Sequence, residues 1–155
     1  NCAILTGYEL GLSAILKKGS DLWLNTPRIY HEASGTSGMT AAMNGSINLS
    51  IPDGWVPEFA QDRKNSFIIP RAETDDHEEQ AKLENDFLLT MLEKDIVPLY
   101  YTRPDEWLNI MKQSMIDVVP FFDSNRMAHE YYDKMYSLTG TLSEVSEKSA
   151  KVDAT

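Results

Sequence analysis

Cysteine is almost absent from the 155-residue chain. Cys2 stands alone, so no disulfide can form within it, and a reducing, cytoplasmic setting is the default expectation. No apolar run approaches the roughly 18 residues that a membrane-spanning helix needs, so no membrane partner is expected. Positive charge is scarce. Fourteen Lys and Arg stand against 24 Asp and Glu, for a formal net charge of -10. A phosphate backbone or an anionic bilayer would be repelled, which argues against nucleic-acid and anionic-membrane ligands. No His, Cys and carboxylate group has metal-ligand spacing, so no metal site is expected. Ser34, His31 and Asp53 supply the residue types of a Ser-His-Asp triad, but no nucleophile-elbow pattern accompanies them. The start, Asn-Cys-Ala-Ile-Leu-Thr-Gly-Tyr, has no charged leader and enters directly on an apolar run. It is not expected to be a signal peptide, and the chain reads as a piece of a longer protein.

What is present is 42% hydrophobic content, enough for one sizeable core, and one stretch unlike the rest. Residues 31–54 begin with His31 and a lone carboxylate, Glu32, followed by small residues: Ala33, Ser34, Gly35, Thr36, Ser37 and Gly38. Met39, Ala42 and Met43 then fall at the i, i+3, i+4 spacing of a short helix, with Thr36 or Ser37 as its N-cap and Gly45 closing it. Ile47, Leu49 and Ile51 alternate with polar residues, which predicts a strand. Gly35 and Gly38 allow a ligand or another backbone to approach closely. Free amides at the helix start attract anions such as phosphate, and Glu32 is an acceptor for hydroxyls. A sugar phosphate suits both ends. From the local pattern alone, a glycine-rich strand-to-helix turn with a surface glutamate is the plainer reading, since such turns are common in α/β proteins.

Around this stretch the pattern is strand, helix, strand, loop, helix, strand. Residues 3–6 predict a short buried strand, Glu9–Lys18 a helix with Leu10, Ala14, Ile15 and Leu16 on its apolar side, and Asp21–Leu24 a second strand. This alternation predicts α/β units with a parallel sheet, whose ligands bind beyond the C-terminal strand ends, where the 25–38 loop lies. In that loop Arg28 either faces a phosphate or is simply solvated, and His31 is either a proton carrier or packed beside the motif. Asp53-Gly54 signals a turn, and Trp55 and Phe59 either line a sugar site or pack a loop or short helix over residues 52–65. Ser66–Ile69 reads as the final strand, stopped by Pro70. The acidic run 71–86 fits a loop and the solvated first turns of a helix. Three amphipathic helices follow, the first ended by Pro98, the second running from Pro104 until Pro120 stops it, the third ending near Tyr136. Residues 1–137 form one domain part, and 138–155, rich in Ser, Thr, Glu and Lys, read as a flexible tail.

Glu-Ala-Ser-Gly-Thr-Ser-Gly-Met, then Ala-Met-Asn-Gly and Asp-Gly-Trp, resembles the active-site signature of the α-glucan (glycogen, starch) phosphorylases. Asp-Leu-Trp-Leu-Asn-Thr-Pro-Arg upstream resembles the shorter bacterial and archaeal branch. The resemblance runs from about Ile4 to about Tyr136 and is densest over residues 21–55. It implies a fold of two doubly wound, Rossmann-like parallel-sheet domains (the GT-B type), with this chain the C-terminal part of the second, followed by helices. It also implies glucosyl transfer, with retention, between an α-1,4-glucan and phosphate, with glucose 1-phosphate as the other sugar partner. The N-terminal part of the same protein is then the partner that completes the cleft, and the segment by itself is expected to be inactive. Carried over by position, Glu32, Ala33, Ser34 and Gly35 meet the sugar, Glu32 through its hydroxyls. Thr36, Ser37, Gly38 and Thr40 lie at the phosphate and cofactor side.

One position departs from that pattern. The family's residue after Met39 is the lysine that holds pyridoxal phosphate as a Schiff base, and here it is Thr40. A hydroxyl cannot form an imine. The similar nucleotide-sugar glucosyltransferases, of the glycogen synthase kind, often carry a second Glu eight residues after the first, and Thr40 is not Glu either. A glucan phosphorylase segment remains the leading expectation. A synthase-like transferase and a non-catalytic α-glucan-binding module are the alternatives.

Overall fold

A computed structural model describes residues 2–137. The tail expected over 138–155 lies outside the described residues. The element order is α1 (Leu10–Gly19), β1 (Leu22–Asn25), α2 (Thr36–Met43), β2 (Ile47–Ser50), α3 (Val56–Phe59), β3 (Phe67–Ile68), α4 (His77–Met91), α5 (Val97–Thr102), α6 (Pro104–Phe122) and α7 (Ser124–Tyr131). π-helical turns follow α4 at Leu92–Ile96 and α7 at Tyr132–Tyr136. The three strands form one parallel sheet in the order β1-β2-β3, with Leu22 opposite Ile47 and Leu49 opposite Phe67. The protein is therefore of the α/β class with a parallel sheet, as the alternating pattern predicts.

β2 is the centre, and all four of its residues are buried. Its alternation is real, but both faces are covered, as parallel sheets require. Ile47, Leu49 and Ile51 belong to the core with Phe67, Ile69, Met91, Ile96, Leu99, Trp107 and Ile110. α4, α5 and α6 supply the helical side of that core. On the opposite parity, Asn48 turns to α2 and its side-chain amide donates to the Gly38 carbonyl at 3.0 Å. A buried polar side chain thus has a backbone partner, and the hydrogen bond ties α2 to the central strand.

Four expectations need correcting. Residues 3–6 form no strand, and Ile4 is 89% exposed. A strand needs a ladder partner, and among the described residues none lies beside this run. Helix α1 forms, but Leu10, Ala14, Ile15 and Leu16 are exposed and Ser13 is its buried residue. Among the described residues nothing covers its apolar side. Pro98 does not end the helix that begins at His77. The π turn closes with the Val97 amide donating to Leu92, and Pro98 then sits in the first turn of α5, where a missing N–H costs little. Pro120 likewise lies inside α6, which continues to Phe122.

The chain divides into two compact units, with the division between Val119 and Pro120. Everything that bears on the motif lies in the first. In the second, Arg126 lies over the Phe121 ring at 5.1 Å and Glu130 pairs with both Arg126 and Lys134 along α7 and its π turn.

Candidate functional site

The loop between β1 and α2 is built on an internal clamp. β1 ends at Asn25, and the chain turns at Arg28, whose carbonyl accepts the His31 amide at 3.0 Å. Tyr30 takes a left-handed backbone, φ 68, and its ring and hydroxyl meet Arg71. Asp53, just past β2, then holds the loop. Its Oδ2 accepts the amides of His31 at 3.0 Å and Glu32 at 2.9 Å, and its Oδ1 accepts that of Gly54 at 2.9 Å. Among the described residues it is the one buried carboxylate. Burial pushes this carboxyl up, but the amides of Glu32, Gly54, His31 and Tyr30 outweigh it and hold it below the usual aspartate range.

A second set of contacts fixes Ser34 and Gly35. The Trp55 amide donates to the Ser34 carbonyl at 2.9 Å. Gly54 must be glycine, because at φ 58 a Cβ would lie 2.6 Å from that same carbonyl oxygen. Gly35 caps α2 in a left-handed conformation, φ 89, so the helix begins on Gly35 and not on a Thr36 or Ser37 cap. Glycine is the residue that adopts this backbone without a Cβ clash, which is why a hydroxyl side chain does not take the role.

The close approach expected at Gly35 and Gly38 is made from inside the protein. A Cβ on Gly35 would lie 2.8 Å from Trp55 Cδ1, and one on Gly38 would lie 3.1 Å from Trp55 Nε1 and 2.7 Å from Asn48 Oδ1. Trp55 is buried and stacks on Phe59, with ring centroids 4.8 Å apart. Of the two readings of Trp55 and Phe59, loop packing is therefore the observed one.

The motif's remaining groups differ in exposure. Ala33, Ser34, Thr36 and Thr40 are exposed, Glu32, Gly35 and Ser37 are half-buried, and Gly38 is buried. The first-turn amides of Thr36 and Ser37 have no carbonyl partner within α2, as at any helix start. Thr40 shares a face with Thr36, and its hydroxyl donates to the Thr36 carbonyl at 2.9 Å. His31 contributes its backbone to the clamp and keeps its side chain exposed. Arg28 lies apart from this face, on the wall of a separate cavity.

A pyridoxal phosphate held through an imine needs a primary amine at position 40. The hydroxyl there is already engaged, so the residues of this helix start do not fit a covalently held cofactor. Among the described residues no group of three or more His, Cys, Asp and Glu converges to hold a metal ion, and no helix is long and apolar enough to cross a membrane.

The residue that holds the motif loop and that the sequence does not single out is Asp53. Asp-Gly after a strand announces a turn, and nothing in the sequence says that the carboxylate reaches back 21 residues.

No family model matches the chain. It is 46% identical, over 86% of its length, to an uncharacterised protein of Methanocaldococcus jannaschii, of which it spans 24%. It is 39% identical over 86% of its length to the maltodextrin phosphorylase of Thermococcus litoralis, spanning 16% of that protein. It is 37% identical over 87% of its length to the glycogen phosphorylase of Aquifex aeolicus, spanning 20% of that one. The chain thus spans a quarter or less of the length of these relatives, and it belongs, as a segment, to the glycogen and maltodextrin phosphorylase family.

Proposed function

We propose that this chain is the sugar- and phosphate-facing part of the second doubly wound domain of an α-glucan phosphorylase-like glycosyltransferase. The whole protein would transfer glucosyl units between an α-1,4-glucan and inorganic phosphate, with glucose 1-phosphate as the other sugar partner. The supporting observation is the clamped loop. Asp53 fixes the backbone of His31 and Glu32, and Trp55 fixes that of Ser34, so the Glu32 carboxylate and the start of α2 are held ready rather than ordered on binding. Glu32 accepts hydrogen bonds from sugar hydroxyls, and the amides of Ser34 and Gly35 meet the same sugar. Thr36, Ser37 and Gly38 present the first turn of α2 to phosphate. The other wall of the cleft belongs to the N-terminal part of the same protein, so the segment alone does not catalyse the transfer.

One observation favours a second reading. Thr40 spends its hydroxyl on α2 itself and offers no amine, which suits an α-glucan-binding protein without phosphorolysis. Assay of the full-length protein separates the two. Phosphate release from glucose 1-phosphate in the presence of a short α-1,4-glucan marks the transferase, and glucan binding without release marks the binding module. Turnover of a nucleotide-glucose would mark a synthase-like enzyme instead. In either leading reading Glu32→Ala lowers binding of glucan or glucose 1-phosphate by roughly 10- to 100-fold, the usual worth of a hydrogen bond to a charged group. Unchanged binding would remove Glu32 from the site.

A further inference from the structure

The three parallel strands end on one rim, and α4 crosses it. Arg28 lies just beyond β1, Ile51 beyond β2 and Ile69 beyond β3, while Gln80, Glu84 and Asn85 come from α4. Between them is a cavity of about 290 Å³. Residues 32–40 contribute nothing to its wall, so it is separate from the motif face.

We propose that this cavity binds one neutral hexose ring; its identity as a glucosyl unit rests on the glucan reading above, while the site itself stands on the following geometry. Pro27, Ala81 and Leu88, none of them fully buried, line it and give an apolar surface for the C–H face of a pyranose, over a floor closed by the core residues Ile51 and Ile69. Glu84 is an oriented acceptor: its Oε1 takes the Ala72 amide at 3.3 Å and the side-chain amide of Gln80 at 2.9 Å, and Gln80 is only 8% exposed. Arg28 and Asn85 line the same space, and among the described residues their side chains make no hydrogen bond or ion pair. Donors and acceptors are therefore both on offer, and a sugar hydroxyl, which donates and accepts, uses both. The Arg28 and Glu84 charges are opposite, so an anion gains little by entering and would face a carboxylate. At this volume, the low end of ligand pockets, the site takes a single ring and not an oligosaccharide. Its place beyond the C-terminal ends of the strands is where open parallel sheets bind ligands.

Calorimetric titration of the full-length protein with D-glucose, and separately with inorganic phosphate, tests this in a Glu32→Ala background that removes the motif contact. Glucose binding is expected to persist in that background and to weaken by about tenfold or more, a 1.4 kcal/mol change, when Asn85→Ala or Glu84→Gln is added. Asn85 is exposed, so its replacement leaves the fold intact. Loss of all glucose binding in Glu32→Ala alone overturns the cavity proposal, as does glucose binding that Asn85→Ala and Arg28→Ala both leave unchanged, or phosphate binding in place of glucose. Failure of the glucan reading looks different: there Glu32→Ala changes nothing in the wild-type background while the cavity variants still respond.

Discussion

The carboxylate of Asp53 and the backbone amide of Glu32 meet at 2.9 Å, joining the exit of β2 to the loop that follows β1. With the His31 amide on the same oxygen, this one side chain sets the backbone of the motif's first two residues. An ionised carboxylate suits the task because it accepts several amides at once, and such charge-assisted bonds are the stronger kind.

Replacing Asp53 by Asn removes the charge and turns one oxygen into a donor facing amide donors. The expected loss is about 1.5 kcal/mol of stability, the usual worth of a hydrogen bond to a charged group, read from urea denaturation. Amide exchange at His31 and Glu32 should accelerate more than exchange in β2. Equal acceleration throughout would mean that Asp53 supports the fold at large and not the loop.

The pH dependence follows from the same carboxyl. Its folded-state pKa lies below the unfolded value, so its contribution is fully present above the unfolded pKa of about 3.9 and is lost as pH falls through the lower folded value. Above pH 5 the His31 and Glu32 amides should show constant protection. Below about pH 4 they should lose it progressively. Two-dimensional amide spectra across that range check the sign: protection that falls toward neutral pH would contradict it.

Gly35 and Gly38 are held to glycine by Trp55. Gly35→Ala combines a left-handed backbone with a Cβ 2.8 Å from the indole, and is expected to cost about 2 kcal/mol or more and to shift the Trp55 indole resonance. Gly19 is the matched control. It ends α1 with nothing within 4 Å of an added Cβ, so Gly19→Ala should be neutral or slightly stabilising. Similar losses at both positions would sink the packing argument.

These contacts also explain what the sequence reveals and what it hides. The helix over Thr36–Met43, the Gly45 turn and the strand at Ile47 are legible because they are local: small residues, 3.6-residue spacing and alternation suffice. The acids Glu78 and Glu79 in the first turn of α4 are legible for the same reason, while the Asp76 carboxylate that accepts both of their amides is seen only in the structure. What pairs across distance is not legible. The exposed run 3–6 has strand composition but no neighbour, and α1 has an apolar side that the described chain does not cover. The glycines announce a close approach without naming the approaching group, which is an indole 17 to 20 residues further along. The π turn before Pro98 is marked by no residue pattern.

Position 40 is where the chain departs from the signature it otherwise resembles, a threonine in place of the lysine that the resemblance implies. Thr40 is exposed, and its hydroxyl makes a back-bond to the Thr36 carbonyl that a helix does not need. Removing that bond should be nearly free, within about 0.5 kcal/mol, because an exposed lysine has good helix propensity. Thr40→Lys should therefore fold as the parent does, and it restores an amine on the face shared with Thr36. Incubation with pyridoxal phosphate followed by borohydride, read by peptide mass, is expected to leave residues 36–43 unlabelled in the parent and labelled in Thr40→Lys. Label on that peptide in the parent is chemically excluded, since it holds no other amine. An unlabelled Thr40→Lys, in a protein that folds normally, would mean that the helix start no longer accommodates the phosphate, and the glucan-binding reading would then displace the transferase.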